Sequence, residues 1–337
     1  MMHLKAILAL LMCLCLLLGA GAAAADERTT FRNPVAATGN DPWVIQHEGK
    51  YYYCYSTDYQ VGVSVIEDPT LLQRYNVNYV YTAPNGTNYS KCYWAPELHF
   101  IDGEWYIYVA ASAGDDNFQR MYVLRGTSSD PTKPFEMIGQ ITDPTDKWAI
   151  DGTVLQYKDE LYFVWSGWHA DHREQQNLYI AHMSNPWTID SERVLLSYPG
   201  YEWERMVFPV NEGPVGLVKG DTLHVVYSAS ACWDDYYCLG LLTYRPEQGD
   251  ILDRNAWIKS DKPVFSQVPT TYAPGHNSFI KSPDGTEDYI VYHANRISHT
   301  GIPGRSVRMQ KFTWDGDMPV FGEPLPYNAE APLPSGT

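Results

Sequence analysis

A hairpin-like pattern occurs five times along the chain, and this repetition constrains the fold more than any other feature. In the first copy, residues 40–57, a short apolar segment leads through a charged glycine turn into an aromatic segment. Apolar and polar residues that alternate on both sides of a tight turn are typical of a β-hairpin. The spacing of the five copies is 53 to 64 residues, measured between Asp41, Trp94, Asp151, Glu212 and His276. Such regular spacing predicts a repeat architecture.

Each hairpin is followed by a further strand-like segment, such as residues 120–125 after the second copy and 178–183 after the third. Three or four antiparallel strands per repeat, five times over, predict an all-β fold, a single five-bladed β-propeller. The chain has 26 Tyr and 11 Trp, which suits strands. No Gly-, Ser- or Pro-rich linker interrupts it, so we expect one propeller domain over residues 26–337, with a loosely held tail from residue 328.

The N-terminus has the pattern of a secretory signal peptide. Lys5 precedes an apolar run at residues 7–18, and small residues follow up to Ala25. This predicts a signal peptide over residues 1–25 and a secreted protein, periplasmic or extracellular, without a membrane anchor. An oxidising compartment permits disulfides, but spacing alone leaves open whether Cys232 and Cys238 are paired.

The chain is acidic, with 40 Asp and Glu against 24 Lys and Arg and a formal charge of -16. Nucleic acid is therefore not expected as a partner, because binding its backbone needs clustered Lys and Arg. An acidic surface with many aromatic side chains is compatible with a neutral, polar ligand such as sugar. The alternative is that the charge only keeps a secreted protein soluble.

Three acids begin three of the repeats, namely Asp41, Asp151 and Glu212, and each is followed by Pro or Gly. The first strand of each propeller blade lines the central channel, so acids at equivalent points should meet at one mouth. The alternative is that each is a turn residue whose carboxylate accepts backbone N–H groups. Neighbouring carboxylates differ in pKa, so one can act as an acid and another as a base, as glycoside hydrolysis requires. Across a channel mouth we expect the wider separation that admits water and inverts the anomeric centre.

Six segments in this order resemble the family 43 glycoside hydrolases, over nearly the whole chain from Asn33 to about Pro324. The resemblance implies a five-bladed propeller with an inverting mechanism. It implies Asp41 as the general base, Glu212 as the general acid, and Asp151 as the carboxylate that orients Glu212 and raises its pKa. The segments are NDPWV (40–44), WAPELH (94–99), IDGTV (150–154), NEGP (211–214), GHNS (275–278) and GRSVRMQKFTW (304–314).

The resemblance also implies roles for residues around the acids. Arg305 should bind hydroxyl groups of the sugar, while Trp94 and Trp43 should stack on sugar faces, although Trp is also a normal blade filler. Glu97 should orient the catalytic residues or make a structural hydrogen bond. No cofactor is required, but His276 should lie near a central calcium or other small ion; a hydrogen-bonded histidine without metal is the alternative.

Members of this family act mainly on arabinofuranosides and xylosides of plant polysaccharides. The segments at residues 228–244 and 249–257 resemble members that remove terminal α-L-arabinofuranosyl units. We therefore expect a monomeric exo-α-L-arabinofuranosidase acting on arabinan or arabinoxylan. A β-xylosidase or an endo-arabinanase is the alternative within the family, and a non-catalytic sugar-binding propeller is the alternative outside it. Two loops, residues 168–172 and 233–237, are expected at the rim of the site.

Overall fold

A computed structural model describes residues 28–337. Five antiparallel sheets follow one another in chain order, so the five-bladed β-propeller expected from the repeats is confirmed. The expected signal peptide lies outside the described residues. Within residues 28–337, none of the helices has the length and apolar character needed to cross a membrane.

Each blade is a meander whose strands pair in chain order, and blade 3 has a fifth strand that pairs with its third. Blades 1 and 2 consist of Trp43–His47 (β2), Lys50–Ser56 (β3), Gln60–Ile66 (β4), Tyr79–Thr82 (β5), Lys91–Ile101 (β6), Glu104–Ser112 (β7), Arg120–Gly126 (β8) and Phe135–Gln140 (β9). Blade 3 consists of Ala149–Tyr157 (β10), Glu160–Gly167 (β11), Asn177–Asn185 (β12), Thr188–Ile189 (β13) and Val194–Ser197 (β14). Blades 4 and 5 consist of Asn211–Lys219 (β15), Thr222–Ala229 (β16), Cys238–Tyr244 (β17), Trp257–Lys259 (β18), Tyr272–Lys281 (β19), Asp288–Asn295 (β20), Arg305–Asp315 (β21) and Met318–Val320 (β22).

The helical segments are short 3-10 turns in the connections between strands. They are Pro69–Arg74, Asp116–Phe118, Glu202–Glu204, Pro246–Gln248, Arg254–Ala256 and Ile302–Gly304.

Four of the five hairpins close through two-residue turns, as the sequence pattern predicts. In the first, Glu48 and Gly49 both have positive φ, 49° and 75°, and His47 pairs with Lys50. Positive φ at both turn residues matches the right-handed twist of the strands, which is why Gly and Asp are favoured there. In the fifth hairpin six residues, 282–287, join β19 to β20.

Apolar side chains fill the spaces between neighbouring blades. Between blades 1 and 2, Trp43 and Tyr52 pack with Leu98, Trp105 and Ile107 in one buried cluster. Similar clusters lie between the other blades, and burying each large apolar side chain contributes about 1.5–3 kcal/mol. These contacts between blades therefore stabilise the propeller as a single closed unit.

The two ends of the described chain close the ring. Thr30–Arg32 (β1) pairs antiparallel with Glu330–Pro332 (β23), and Phe31 is buried between blades 5 and 1. The backbone N–H of Ser335 donates to Glu287 at 3.0 Å. The expectation of a loosely held tail is therefore wrong, because strand pairing and side-chain hydrogen bonds fix the tail to blade 5 and to the N-terminal segment.

Candidate active site

At one mouth of the channel, a left-handed residue precedes the regular part of every innermost strand. These residues have φ between 43° and 53°, and each stands two positions before the first regular pair of its strand. They are Asp41, Ala95, Asp151, Gly213 and His276. In β6, β10, β15 and β19 this point is a β-bulge. A bulge redirects side chains, and left-handed non-glycine residues cost about 1–3 kcal/mol, a strain that concentrates at functional sites.

The bulge positions correct one detail of the sequence analysis. Asp41 and Asp151 occupy the same point of their blades, but Glu212 stands one residue earlier than the corresponding Gly213. A Cβ on Gly213 would lie 3.2 Å from the His276 ring, so a side chain at this point of blade 4 would crowd that ring.

The mouth holds a cavity of about 410 Å³, within the usual range for small-molecule sites. The structure brings together there six of the predicted site residues, namely Asp41, Trp94, Asp151, Glu212, His276 and Arg305. The remaining lining comes from the loops of several blades, and includes Asp116, Trp148, Trp168, Gln176, Phe208, Cys232, Trp233 and Ile302.

Asp41 is surrounded by nitrogen atoms. Its Oδ1 lies 3.1 Å from Nη1 of Arg305, 3.3 Å from Nδ1 of His276 and 3.4 Å from Nδ1 of His293. Burial favours the neutral acid, but attraction by His276, Arg305 and His293 outweighs it and holds the pKa of Asp41 well below its ordinary value. Burial also lowers the pKa of His276, and that of His293 to about 3, so Arg305 supplies the permanent positive charge beside Asp41.

Glu212 is held by two neutral donors. Tyr237 Oη donates to its Oε1 at 2.8 Å, and Gln176 Nε2 donates to its Oε2 at 3.1 Å. The side chain is buried, and burial together with the negative charge of Asp41 raises the pKa of Glu212 to about 7, although the Tyr237 hydrogen bond opposes this. A carboxyl group with such a pKa can carry and deliver a proton at neutral pH.

Asp151 is the third buried carboxyl group. Its Oδ2 accepts the backbone N–H of Gly213 at 3.0 Å, so it contacts the residue next to Glu212. Burial, followed by the charges of Glu212 and Asp41, raises the pKa of Asp151 well above its ordinary value. One carboxylate in this cluster is therefore ionised while its neighbours are held toward the protonated form, the separation of roles expected of an acid and a base.

Matches to known proteins agree with this geometry. The family model for the glycosyl hydrolases of family 43 matches residues 31–319. The chain belongs to glycosyl hydrolase family 43. As a member, it is a glycosidase, and the cluster of Asp41, Asp151 and Glu212 lies where the innermost strands of the propeller converge.

Individual relatives of this family 43 chain are arabinofuranosidases. An "Extracellular exo-alpha-(1->5)-L-arabinofuranosidase" of Streptomyces avermitilis is 37% identical over 95% of this chain and 69% of its own length. "Alpha-L-arabinofuranosidase 43" of Humicola insolens is 33% identical over 90% of this chain, which spans 66% of that enzyme. The crystal structure of an α-L-arabinofuranosidase from Lactobacillus brevis superimposes with a TM-score of 0.83 at 36% identity, covering 89% of this chain and 98% of that one.

Trp43 and Glu97 lie outside the pocket lining. This corrects the expected stacking of Trp43 on a sugar face, whereas Glu97 makes the structural hydrogen bond that was one of its two expected roles. The Trp43 indole packs 4.9 Å from the His99 ring and donates Nε1–H to the carbonyl of Leu98 at 2.8 Å. Glu97 is buried and its Oε2 lies 2.9 Å from Nε2 of His99. His99 and Trp43 line a separate cavity of about 210 Å³ inside the channel. Trp43 and Glu97 stand two positions after the left-handed residue of their strand, Asp41 or Ala95, at the first regular pair. Neither belongs to the pocket lining at the mouth.

His276 lies beside the carboxyl groups of the site, and a metal ion coordinated there would need ligands among the residues around it. Its backbone N–H donates to Ser228 Oγ at 2.8 Å, and its Nδ1 lies between Asp41 and Asp151. Among residues 28–337, no three His, Cys, Asp or Glu side chains are grouped so that they could hold a metal ion. Direct coordination by such a group does not fit the residues present, and an ion near His276 stays a prediction.

Sequence reasoning missed several residues of the site. Tyr237 and Gln176 contact Glu212, and His293 contacts Asp41, yet none stands in a recognisable motif. Trp148 and Trp168 form a stacked pair in the pocket wall, with ring centroids 4.4 Å apart. The only available signals were the two expected rim loops, which include Trp168, Trp233 and Tyr237.

The rim loop of blade 4 is fastened to that of blade 5. The carboxylate of Asp235 accepts hydrogen bonds from Ser298 Oγ and, at 2.9 Å, from the backbone N–H of His299. Cys232, in the same loop, accepts a hydrogen bond at its carbonyl from Arg305 Nη2 at 3.1 Å. Cys232 and Cys238 are both free thiols, which answers the question of their pairing that spacing left open.

Proposed function

We propose that the protein is a secreted exo-α-L-arabinofuranosidase that hydrolyses terminal α-L-arabinofuranosyl units of plant arabinan or arabinoxylan with inversion. The observation that carries the sugar assignment is the 37% identity, over 95% of this chain, to an enzyme named as an extracellular exo-acting arabinofuranosidase. A second relative with the same name, from Streptomyces chartreusis, is 33% identical over 81% of this chain.

In the proposed reaction, Asp41 acts as the general base and Glu212 as the general acid. Water loses a proton to the ionised carboxylate of Asp41 as its oxygen bonds to the anomeric carbon. The bond from that carbon to the departing oxygen breaks, and Glu212 gives its proton to that oxygen. Product release leaves Asp41 protonated and Glu212 ionised, and exchange of protons with water restores both.

Asp151 and Arg305 support these two groups in different ways. Asp151, through the backbone N–H of Gly213, fixes the strand segment that carries Glu212. Arg305 keeps Asp41 ionised, and its guanidinium lies in the pocket lining, where we propose that it also binds hydroxyl groups of the terminal sugar. Trp94 belongs to the same lining and is proposed to stack on a face of that sugar.

Paired aryl glycosides test the proposal. We expect the enzyme to release p-nitrophenol from the α-L-arabinofuranoside much faster than from the β-D-xyloside, and NMR at early times to show arabinose of inverted anomeric configuration. Faster turnover of the xyloside would favour a β-xylosidase. Internal cleavage of linear arabinan would favour an endo-arabinanase, and sugar binding without turnover would favour the non-catalytic propeller.

A further inference from the structure

A stacked pair of buried rings lies between the two proposed catalytic groups. Tyr237 and His293 are almost fully buried, with ring centroids 5.7 Å apart and planes inclined by 7°. The Tyr237 hydroxyl donates to Glu212 Oε1 at 2.8 Å. On the other side, Nδ1 of His293 accepts the backbone N–H of Asp41 at 3.1 Å. One pair of rings from blades 4 and 5 therefore touches both the acid and the residue proposed as the base.

The position of Tyr237 is fixed by close packing. A Cβ on Gly275, in the innermost strand of blade 5, would lie 2.4 Å from Cε1 of the tyrosine ring. The absence of a side chain at Gly275 thus makes room for the ring against His293. The second oxygen of Glu212 accepts Gln176 Nε2, so the carboxyl group is held at both ends.

We propose that Tyr237 is a positioning residue that orients the Glu212 carboxyl group through its hydroxyl and supports Asp41 through its ring and His293. This inference rests on the proposed roles of Glu212 and Asp41. It predicts that the hydroxyl acts on the acid side of the reaction and the ring on the base side, so two substitutions at one position separate the effects.

The sign of the hydroxyl effect follows from the charges around Glu212. Asp41, Asp151, Arg305 and Cys232 are titratable or charged groups that act on it from blades 1, 3, 5 and 4. His276 of blade 5 lines the same pocket, and burial lowers its pKa. Burial and the charge of Glu212 raise the pKa of Tyr237 well above its ordinary value, so the phenol keeps its proton and donates. The hydroxyl stabilises the carboxylate that forms when Glu212 gives its proton to the leaving group. For the same reason, it lowers the pKa of Glu212.

Tyr237→Phe removes the hydroxyl and keeps the ring against His293. We expect the basic limb of kcat/KM against pH to move up by about one to two pH units, because a buried hydrogen bond to a charged group is lost. At pH 6, kcat/KM for an arabino-oligosaccharide should fall at least tenfold, with a smaller loss for p-nitrophenyl arabinofuranoside, which needs little protonation. Tyr292→Phe is the matched control, since it removes a buried hydroxyl bonded to Gln310 and should leave both profiles unchanged.

Tyr237→Leu removes the ring as well. We expect an additional loss of at least tenfold on p-nitrophenyl arabinofuranoside, because His293 loses the ring that supports it beside Asp41. An unmoved basic limb in a folded Tyr237→Phe variant would overturn the acid-side assignment. Equal rates of the Phe and Leu variants on the aryl substrate would overturn the base-side assignment. If the wild-type protein prefers another glycoside, the sugar assignment fails, and the same comparison of variants proceeds with that glycoside.

Discussion

Replacing Arg305 with methionine tests whether one guanidinium keeps the proposed base ionised. Arg305 is 6% exposed, and its Nη1 lies 3.1 Å from Asp41 Oδ1. Methionine fills much of the same space and removes the charge. His276 and His293 remain nearby, but burial lowers the pKa of both, so neither replaces the missing charge near neutral pH.

The size of the effect follows from the burial of the pair. Breaking a buried ion pair by removing one partner costs about 3–5 kcal/mol, and about 1.4 kcal/mol corresponds to one pH unit. The pKa of Asp41 should therefore rise by about two to four pH units in the variant. The base works only when it is ionised, so the acid limb of the pH profile follows the pKa of Asp41. That limb should lie at very acidic pH in the wild type and at a higher pH in the variant.

The assay is kcat/KM for p-nitrophenyl arabinofuranoside between pH 2 and 9, with circular dichroism at each pH to show that the protein is folded, because the acid limb set by Asp41 lies below the ordinary range of an aspartate. Arg308→Met is the matched control, because Arg308 is also buried in β21 but its Nη1 donates to Thr271 Oγ1 at 2.6 Å, away from the pocket. An acid limb that stays in place in Arg305→Met, with both variants folded, would refute the assignment of the Asp41 charge state to Arg305. A limb that moves equally in both variants would point to general destabilisation.

Three further outcomes are expected. Asp41→Ala should lower kcat at least a hundredfold, because general base catalysis contributes about 10²–10⁴ in rate, and the variant should keep a cooperative melting transition. Near-normal turnover would remove Asp41 from the role of base. Glu212→Ala should reduce the rate of hydrolysis of arabino-oligosaccharides far more than that of the aryl glycoside, and it should abolish the fall of kcat/KM above about pH 7. Equal losses on both substrates would contradict its role as acid. Truncation after Tyr327 removes β23 and should cost about 2–4 kcal/mol at roughly 1 kcal/mol per hydrogen bond, measured as a lower Tm; an unchanged Tm would contradict the ring closure.

The local features of this chain were predictable because they depend on residues that are close in sequence. The turn at Glu48 and Gly49 requires positive φ, and the alternation on either side defines a hairpin wherever it occurs. Repetition of that hairpin then predicts a ring of blades, and the ring predicts that Asp41 and Asp151 meet. Arg305 was placed in the pocket only by the resemblance of its segment to a family.

The residues that complete the site depend on contacts between blades, which no local pattern records. Tyr237 reaches Glu212 because Gly275, 38 positions later in the chain, has no side chain to exclude its ring. Trp43 packs in the space between blades 1 and 2, because it stands at the first regular pair of its strand after the left-handed Asp41, although its sequence position near Asp41 suggests the pocket. The tail is ordered because residues 30 and 332, at opposite ends of the described chain, pair in space.

The sequence by itself determined the hairpins, their number and therefore the closed ring, because hydrophobic alternation and turn chemistry act over a few residues. It also determined that carboxyl groups gather at one mouth of that ring. Only the tertiary structure decided which of them is ionised, since burial and the distances to Arg305, Tyr237 and the other carboxyl groups set each pKa. Those distances exist only after the blades have packed, and the chemistry of the site depends on them.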